Sequence, residues 1–293
     1  MILCIGELLA DITGREKGDA LAMEARVGGA PFNVAVNAKQ SGAKVAFIGR
    51  VGFDAVGRFL IDRAEQAGLD SLEIQVDDKR NTTLAFVTLT GGERDFSFYR
   101  GDTADFRISG EAIDSPAFGN ADIVHLGSLM LSEKAGREFA RTAAKKIRAA
   151  GKIFSFDVNY RADLYENVER AKEYYAPFIE QADILKFSED EIAAFTGEND
   201  PEVAARKIYR DGSLLIVTLG SRGSAFMLNG KWQIVPCEKV TPLDTTGAGD
   251  AFFGAVLAYL DGKEIDEDNV RTALENGNRK GAQTTLFAGA VRF

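Results

Sequence analysis

A single histidine, His125, serves the whole chain. That scarcity excludes Ser-His-Asp and Cys-His nucleophile systems, and any metal site built on several imidazoles. His125 lies in the apolar run Ile123 to Gly127 and reads as a hydrogen-bonded core histidine at a strand end. Cysteine is nearly as scarce. Cys4 sits in the first apolar run and Cys237 follows a hairpin, so no disulfide framework is expected and the chain reads as cytoplasmic. Long apolar runs are missing too, since none approaches the ~18 residues that span a bilayer. The stretch Met1 to Asp11 is apolar but interrupted by Glu7 and Asp11 and has no basic leader, so it reads as a buried strand of a soluble protein and not as a signal peptide. Positive charge is in deficit, 35 Lys and Arg against 44 Asp and Glu for a net −9, which points away from nucleic acid and anionic membrane as bulk partners. Finally, there is no Gly-x-x-x-x-Gly-Lys-Ser/Thr string and no Gly-x-Gly-x-x-Gly after the first strand, so any nucleotide must be held in another way.

With 293 residues the chain can bury a large core. Short apolar runs alternate with helical patterns along it. Strands are expected at Ile2 to Gly6, Lys44 to Gly49, Asp122 to Leu126, Ile153 to Asp157, Ile184 to Phe187 and Leu214 to Leu219. Helices are expected near Asn33 to Gln40, Ala55 to Ala67, Glu133 to Ala149, Val168 to Glu180 and Pro201 to Arg210. Such alternation gives a mainly parallel sheet flanked by helices, in which ligands bind beyond the carboxyl ends of the strands. Asp11, Asp157 and the Gly220 turn all fall just past such ends. One region breaks the pattern. Thr82 to Thr90 and Arg94 to Tyr99, joined by Gly91-Gly92-Glu93, read as a hairpin with no helix between its strands. With residues near Asp11 to Arg26 it forms either a small sheet over the strand ends, acting as a lid, or an ordinary antiparallel edge of the main sheet.

Two segments carry chemistry. Asp244-Thr245-Thr246-Gly247-Ala248-Gly249-Asp250 runs into the apolar helix Ala251 to Leu260. A bare glycine turn lets the N–H groups of Ala248, Gly249 and Asp250 face one anion at the positive end of a helix. Asp250 lies inside the first turn, not before it as a helix cap would, and is placed to take a proton from a nucleophile. The second segment, Gly28-Gly29-Ala30-Pro31-Phe32-Asn33, opens a helix with bare backbone. It is either a turn plus cap or the grip for a neutral polyol, with Asn33 bonding two hydroxyls and Asp11 accepting from a third.

Together these two segments, in this order and about 200 residues apart, resemble the two signatures of the ribokinase-like (PfkB) carbohydrate kinases, a likeness that runs from the first strand to Lys280-Gly281-Ala282. The resemblance implies an α/β fold, a ribokinase-like three-layer αβα sandwich with a mainly parallel central sheet and a small β-sheet lid. It implies one domain over residues 1–293, with the lid formed by about 11–27 and 72–105. It makes Asp250 the base and the Gly247-Ala248-Gly249 turn the anion hole for a transferred phosphoryl group, with Asp11, Gly28, Gly29 and Asn33 at the sugar. Thr218-Leu219-Gly220-Ser221-Arg222-Gly223 resembles the nucleotide loop of the family, Asn278 the polar residue beside the adenine, and Lys186 and Ser188 the end of the nucleotide-side strand. Many members carry Asn-x-x-Glu at that strand end. Here the motif is Ser188-Glu189-Asp190-Glu191, which keeps the acid but replaces the amide, as fructokinase-like and ketodeoxygluconate-kinase-like members do. The cofactors implied are ATP and Mg²⁺, the metal brought by ATP and touched indirectly by Glu191, together with K⁺ near Asp244.

The acceptor is read from a third stretch. Asp157-Val158-Asn159-Tyr160-Arg161 with Leu164-Tyr165, and Phe98-Tyr99-Arg100 with Ala104-Asp105, resemble fructokinase segments, so Asn159, Arg161 and Arg100 are expected at the substrate. The leading expectation is an ATP-dependent fructokinase that forms fructose 6-phosphate. The same elements suit 2-keto-3-deoxygluconate kinase, in which an arginine would pair with the acid. Ribose or a nucleoside as acceptor, and a non-catalytic sugar or nucleotide sensor, complete the alternatives. An apolar face on the lid would favour a homodimer.

Overall fold

In the computed structural model, which describes residues 1–90 and 93–292, the elements follow the expected alternation. In chain order they are β1 (Ile2–Ile5), β2 (Leu9–Lys17), β3 (Ala20–Gly28), α1 (Ala30–Gln40), β4 (Val45–Gly52), α2 (Ala55–Glu65), β5 (Ser71–Asp77), β6 (Leu84–Thr90) and β7 (Glu93–Tyr99). Then come α3 (Pro116–Asn120), β8 (Ile123–Leu126), α4 (Lys134–Ala149), β9 (Ile153–Asp157), α5 (Val168–Ile179), β10 (Ile184–Ser188), α6 (Glu189–Thr196) and α7 (Pro201–Ile208). The chain ends through β11 (Leu214–Thr218), β12 (Ser224–Leu228), β13 (Lys231–Val235), α8 (Ala248–Leu260) and α9 (Glu267–Thr284).

Nine strands form the central sheet in the order β13-β12-β11-β10-β9-β8-β1-β4-β5. All pairings are parallel except those of β12, which runs against both β11 and β13. Successive residues of a strand point to opposite faces, and the core obeys this rule. Leu3, Ile5, Phe154, Phe156, Leu185 and Phe187 pack with α4, α5 and α6 on one side, while Ile2, Cys4, Phe47, Ile184 and Ile216 pack with α1, α8 and α9 on the other. The result is helix, sheet, helix: the expected three-layer α/β sandwich. His125 is buried in it, its Nδ1 at 3.2 Å from Ser155 Oγ and its ring edge-on to Phe253, and burial pushes its pKa down to about 4.

A second sheet of four strands, β3-β2-β6-β7, stands apart from the first. The lid expected over 72–105 is shorter than that range implied. Ser71–Asp77 pairs in parallel with β4 and forms the edge of the central sheet, so the hairpin contribution to the small sheet begins only at Leu84. Part of the expected turn, Gly91 and Gly92, lies outside the described residues. The helices α3, α6 and α9 were not anticipated from periodicity. Of these, α6 is only eight residues long and is started by a capping box, Ser188 Oγ accepting from Glu191 N while Glu191 Oε2 accepts from Ser188 N.

Candidate active site

The carboxyl ends of β1, β9, β10 and β11, the starts of α1 and α8, and the inner face of the small sheet converge on a cavity of about 550 Å³. Two helix starts build its floor. Gly29 caps α1 with φ 111°, and a methyl group there would lie 2.3 Å from Glu7 O, so only glycine fits. Gly247 caps α8 with φ 73°, where a methyl would lie 2.3 Å from Ala290 Cβ. The turn is braced from behind by Asp244, which accepts from Thr246 N with one oxygen and from Gly289 N with the other, both at 2.8 Å.

The α8 start differs from expectation in one respect. The Ala248 N–H closes a turn on Thr245 O at 3.2 Å, which leaves the N–H groups of Gly249 and Asp250, rather than three donors, without a partner among the described residues. Asp250 is the third residue of α8 and accepts from Asn33 Nδ2 at 2.8 Å across 217 residues of sequence. Its burial pushes the carboxyl up to about 6; the Asn33 bond opposes that rise, Asp157 adds to it, and Lys186 and Arg161 pull it back. Asn33 is buried, and its Oδ1 has no partner among the described residues.

Asp11, Gly29, Asn33, Asn159 and Arg161 all line the cavity. Gly28 does not line it; a methyl there would lie 2.3 Å from Asp11 Oδ2, so its role is to leave space for that carboxylate. Asn159 holds φ at 39°, and Arg161 donates to Tyr160 O at 3.2 Å. Arg100 corrects the expectation of a substrate-facing arginine. It is 7% exposed, its Nε and Nη2 grip Asp105 Oδ2 at 2.9 and 2.6 Å, and its Nη1 donates to Leu129 O and Ser132 Oγ, outside the cavity lining. With four of its five N–H donors engaged inside the protein, this guanidinium anchors the root of the small sheet.

Lys186 and Ser188 line the cavity on the β10 side. Lys186 is the register partner of Asp157 on adjacent parallel strands, and its Nζ donates to Asp157 Oδ1 and Oδ2 at 2.9 and 2.8 Å. Burial alone would lower its pKa, but the Asp157 and Glu191 charges outweigh it and the net shift is upward. Glu191 accepts from Tyr160 N at 2.9 Å as well as from Ser188 N, and burial followed by the Asp157 charge raises its pKa. A second cavity of about 310 Å³ adjoins the first, with Thr218, Thr245 and Gly249 in both walls. It holds Gly220, Gly223 and Asn278, along with the apolar Val240, Pro242 and Phe252. The Asn278 amide is fixed by Val235 O at 3.0 Å and Pro236 O at 3.3 Å.

Among the described residues there is no group of three or more His, Cys, Asp or Glu able to hold a metal ion. Glu191 is engaged by two backbone N–H groups, an arrangement that suits outer contact through water better than direct ligation. Sequence reasoning passed over Glu7, which sits two residues past the end of β1 in the cavity wall, 2% exposed, with Oε2 unpartnered among the described residues and its pKa pushed by burial up to about 7. Its position past a parallel strand end was the available signal. The apolar wall residues Leu9, Phe98 and Leu129 were also missed, and no local pattern marks them.

Comparison with known proteins agrees with this geometry. The chain is 37% identical over 303 residues to probable fructokinase-7 of Arabidopsis thaliana, covering 99% of this chain and 88% of that protein. It superposes with a TM-score of 0.90 on the Xylella fastidiosa fructokinase with bound ATP, at 30% identity over 99% of this chain and 93% of the other. A Vibrio cholerae fructokinase double mutant in the fructose-, ADP- and potassium-bound form matches with a TM-score of 0.88 at 29% identity, over 99% and 93% of the two chains. The model of the pfkB family carbohydrate kinases matches residues 1–291, and the chain belongs to that family.

Proposed function

We propose that this protein transfers the γ-phosphoryl group of ATP to the 6-hydroxyl of fructose, giving ADP and fructose 6-phosphate. The observation that carries the reading is the Asn33–Asp250 hydrogen bond, which ties the polyol wall to the start of α8 at the junction of two cavities. Adenine and ribose fit the second, largely apolar cavity beside Asn278, Gly220 and Gly223, and the sugar fits the first beside Asp11, Gly29, Asn33 and Asn159. The transferred group then lies at Gly249, common to both walls.

In the reaction the sugar oxygen bonds to the γ-phosphorus, the bond to the β,γ-bridging oxygen breaks, and the hydroxyl proton passes to Asp250. A carboxylate, even one titrating near 6, is far too weak to ionise an alcohol beforehand, since water itself has a pKa of ~15.7. Proton transfer therefore accompanies phosphoryl transfer through a loose transition state, and alignment with charge stabilisation carries most of the rate. The Gly249 and Asp250 N–H groups and the α8 dipole face the charge on the equatorial oxygens. Glu191 would hold Mg²⁺ brought by ATP through water, and the metal would supply positive charge against the phosphates. K⁺ would sit near Asp244, behind the turn that this carboxylate braces through Thr246 N and Gly289 N, and would supply positive charge there.

The reaction is placed in the cytoplasm, in keeping with two free cysteines; no helix among the described residues is long and apolar enough to cross a membrane. The outer face of the small sheet, with Leu21 at 56% and Met23 at 57% exposure, is assigned to a homodimer. Purified protein supplied with MgATP and a panel of sugars tests the activity: sugar-dependent ADP release with fructose supports it, and none above background with any sugar refutes it.

A further inference from the structure

We propose that the Lys186 ammonium is a catalytic contact to the phosphoryl group in flight, and that Asp157 is the positioning residue that holds it there. This rests on the kinase reading and adds to it a fixed positive charge. The two residues are neighbours in register at the ends of β9 and β10, each about 5% exposed at the side chain, with both Asp157 oxygens bonded to Nζ. An ammonium has three donors; two N–H groups meet Asp157, and the third has no acceptor among the described residues.

Its location gives that third donor a purpose. A methyl group built on Gly249 would lie 3.7 Å from Nζ, so the ammonium sits under the first turn of α8, beside the two unpaired N–H groups. Phe253, one turn further along α8, has its ring centroid 5.8 Å from Nζ and closes the far side. Glu7, Asp11, Asp190, Glu191 and Asp250 also line this cavity, against Lys186 and Arg161 alone as cations among the described residues. A phosphoryl group whose negative charge is spread over three equatorial oxygens, entering a wall so rich in carboxylate, needs a compensating charge close to those oxygens. Position 188 is a serine whose hydroxyl caps α6, so it provides no amide for this purpose. Lys186 neither gains nor loses a proton in the step: the proton goes to Asp250, and the electron pair of the broken bond leaves with ADP.

A purely structural ion pair behaves differently on replacement, because a buried pair exchanged for neutral groups of similar size often leaves stability unchanged. The decisive variant is therefore Lys186→Met with Asp157→Asn, which removes both charges together. Its kcat with fructose is expected to fall about 100-fold or more, the range seen on losing one oxyanion donor, and its affinity for the transition-state mimic MgADP–aluminium fluoride with fructose should fall equally. Affinity for ADP alone should stay within threefold. Adding Asp157→Asn to Lys186→Met should lower kcat no further, since the aspartate acts only through the lysine. A kcat within threefold of wild type, or equal losses in ADP and mimic binding, overturns the proposal. Should the neutral pair fail to fold, Lys186→Arg decides: the pair with Asp157 is kept but the charge is displaced, so a kcat at least tenfold lower at constant ADP affinity is expected, and an unchanged kcat refutes the contact. Wild type inactive on every sugar would instead refute the kinase reading.

Discussion

At the scale of single residues the site is a set of carboxylates whose surroundings pull them apart. Asp250 must be ionised to accept a proton, and its pKa of about 6 means that kcat/KM should fall about tenfold per pH unit below that value and level off above it. Asp250→Asn should lower kcat by roughly 10²–10⁴-fold while ADP binding is kept, measured by initial rates and calorimetry. Stability should move the other way. A carboxyl whose pKa is raised by folding favours the fold below its unfolded value near 4, and that contribution disappears as pH rises through the folded value. The same sign applies to Glu7, pushed up to about 7. Glu7→Gln mimics the protonated acid, so its Tm should match wild type at pH 5 and exceed it at pH 8; a constant difference across that range would contradict the assignment. Much of this was readable beforehand, since Asp250 inside a first turn and Asn33 after two glycines are local signals. Arg100 was misjudged because its partner Asp105 is brought close only by the fold, and an arginine in an aromatic stretch carries no mark of being paired.

Among the elements, helix starts do most of the positioning. Gly247→Ala places a methyl against Ala290 and forces a residue out of the left-handed region, so both Tm and kcat should drop, the latter by about 10²–10³-fold as the donors turn away. Ser188 was expected at the nucleotide, and the structure shows it also starting α6 through a capping box. Ser188→Ala should accordingly cost about 0.5–2 kcal/mol of stability in chemical denaturation. If ATP affinity falls while stability is unchanged, the nucleotide role is the larger one. The capping box stands in the sequence as Ser-x-x-Glu, on the same four positions that resemble the Asn-x-x-Glu motif of the family. Assigning Ser71–Asp77 to the lid had a different cause: parallel pairing with β4 involves no turn signal, so its sheet could not be told from local pattern.

For the molecule as a whole, the alternating strands and helices fixed the three layers, because residues two apart in a strand must share a face and each face found its own helices. The small sheet leaves Leu21, Met23 and the 65%-exposed Tyr99 uncovered. Leu21→Lys with Met23→Lys should halve the mass seen by light scattering if that face joins two copies, and an unchanged mass would exclude it. Which sugar fills the first cavity was the least legible property, since its walls come from eight separate segments. The most direct test is kcat/KM for fructose, 2-keto-3-deoxygluconate and ribose with MgATP, run on wild type and Asp250→Asn. Fructose should be preferred by tenfold or more, with one fructose 6-phosphate formed per ADP and turnover all but lost in the variant; equal values for the three sugars, or full activity without the Asp250 carboxylate, would contradict it.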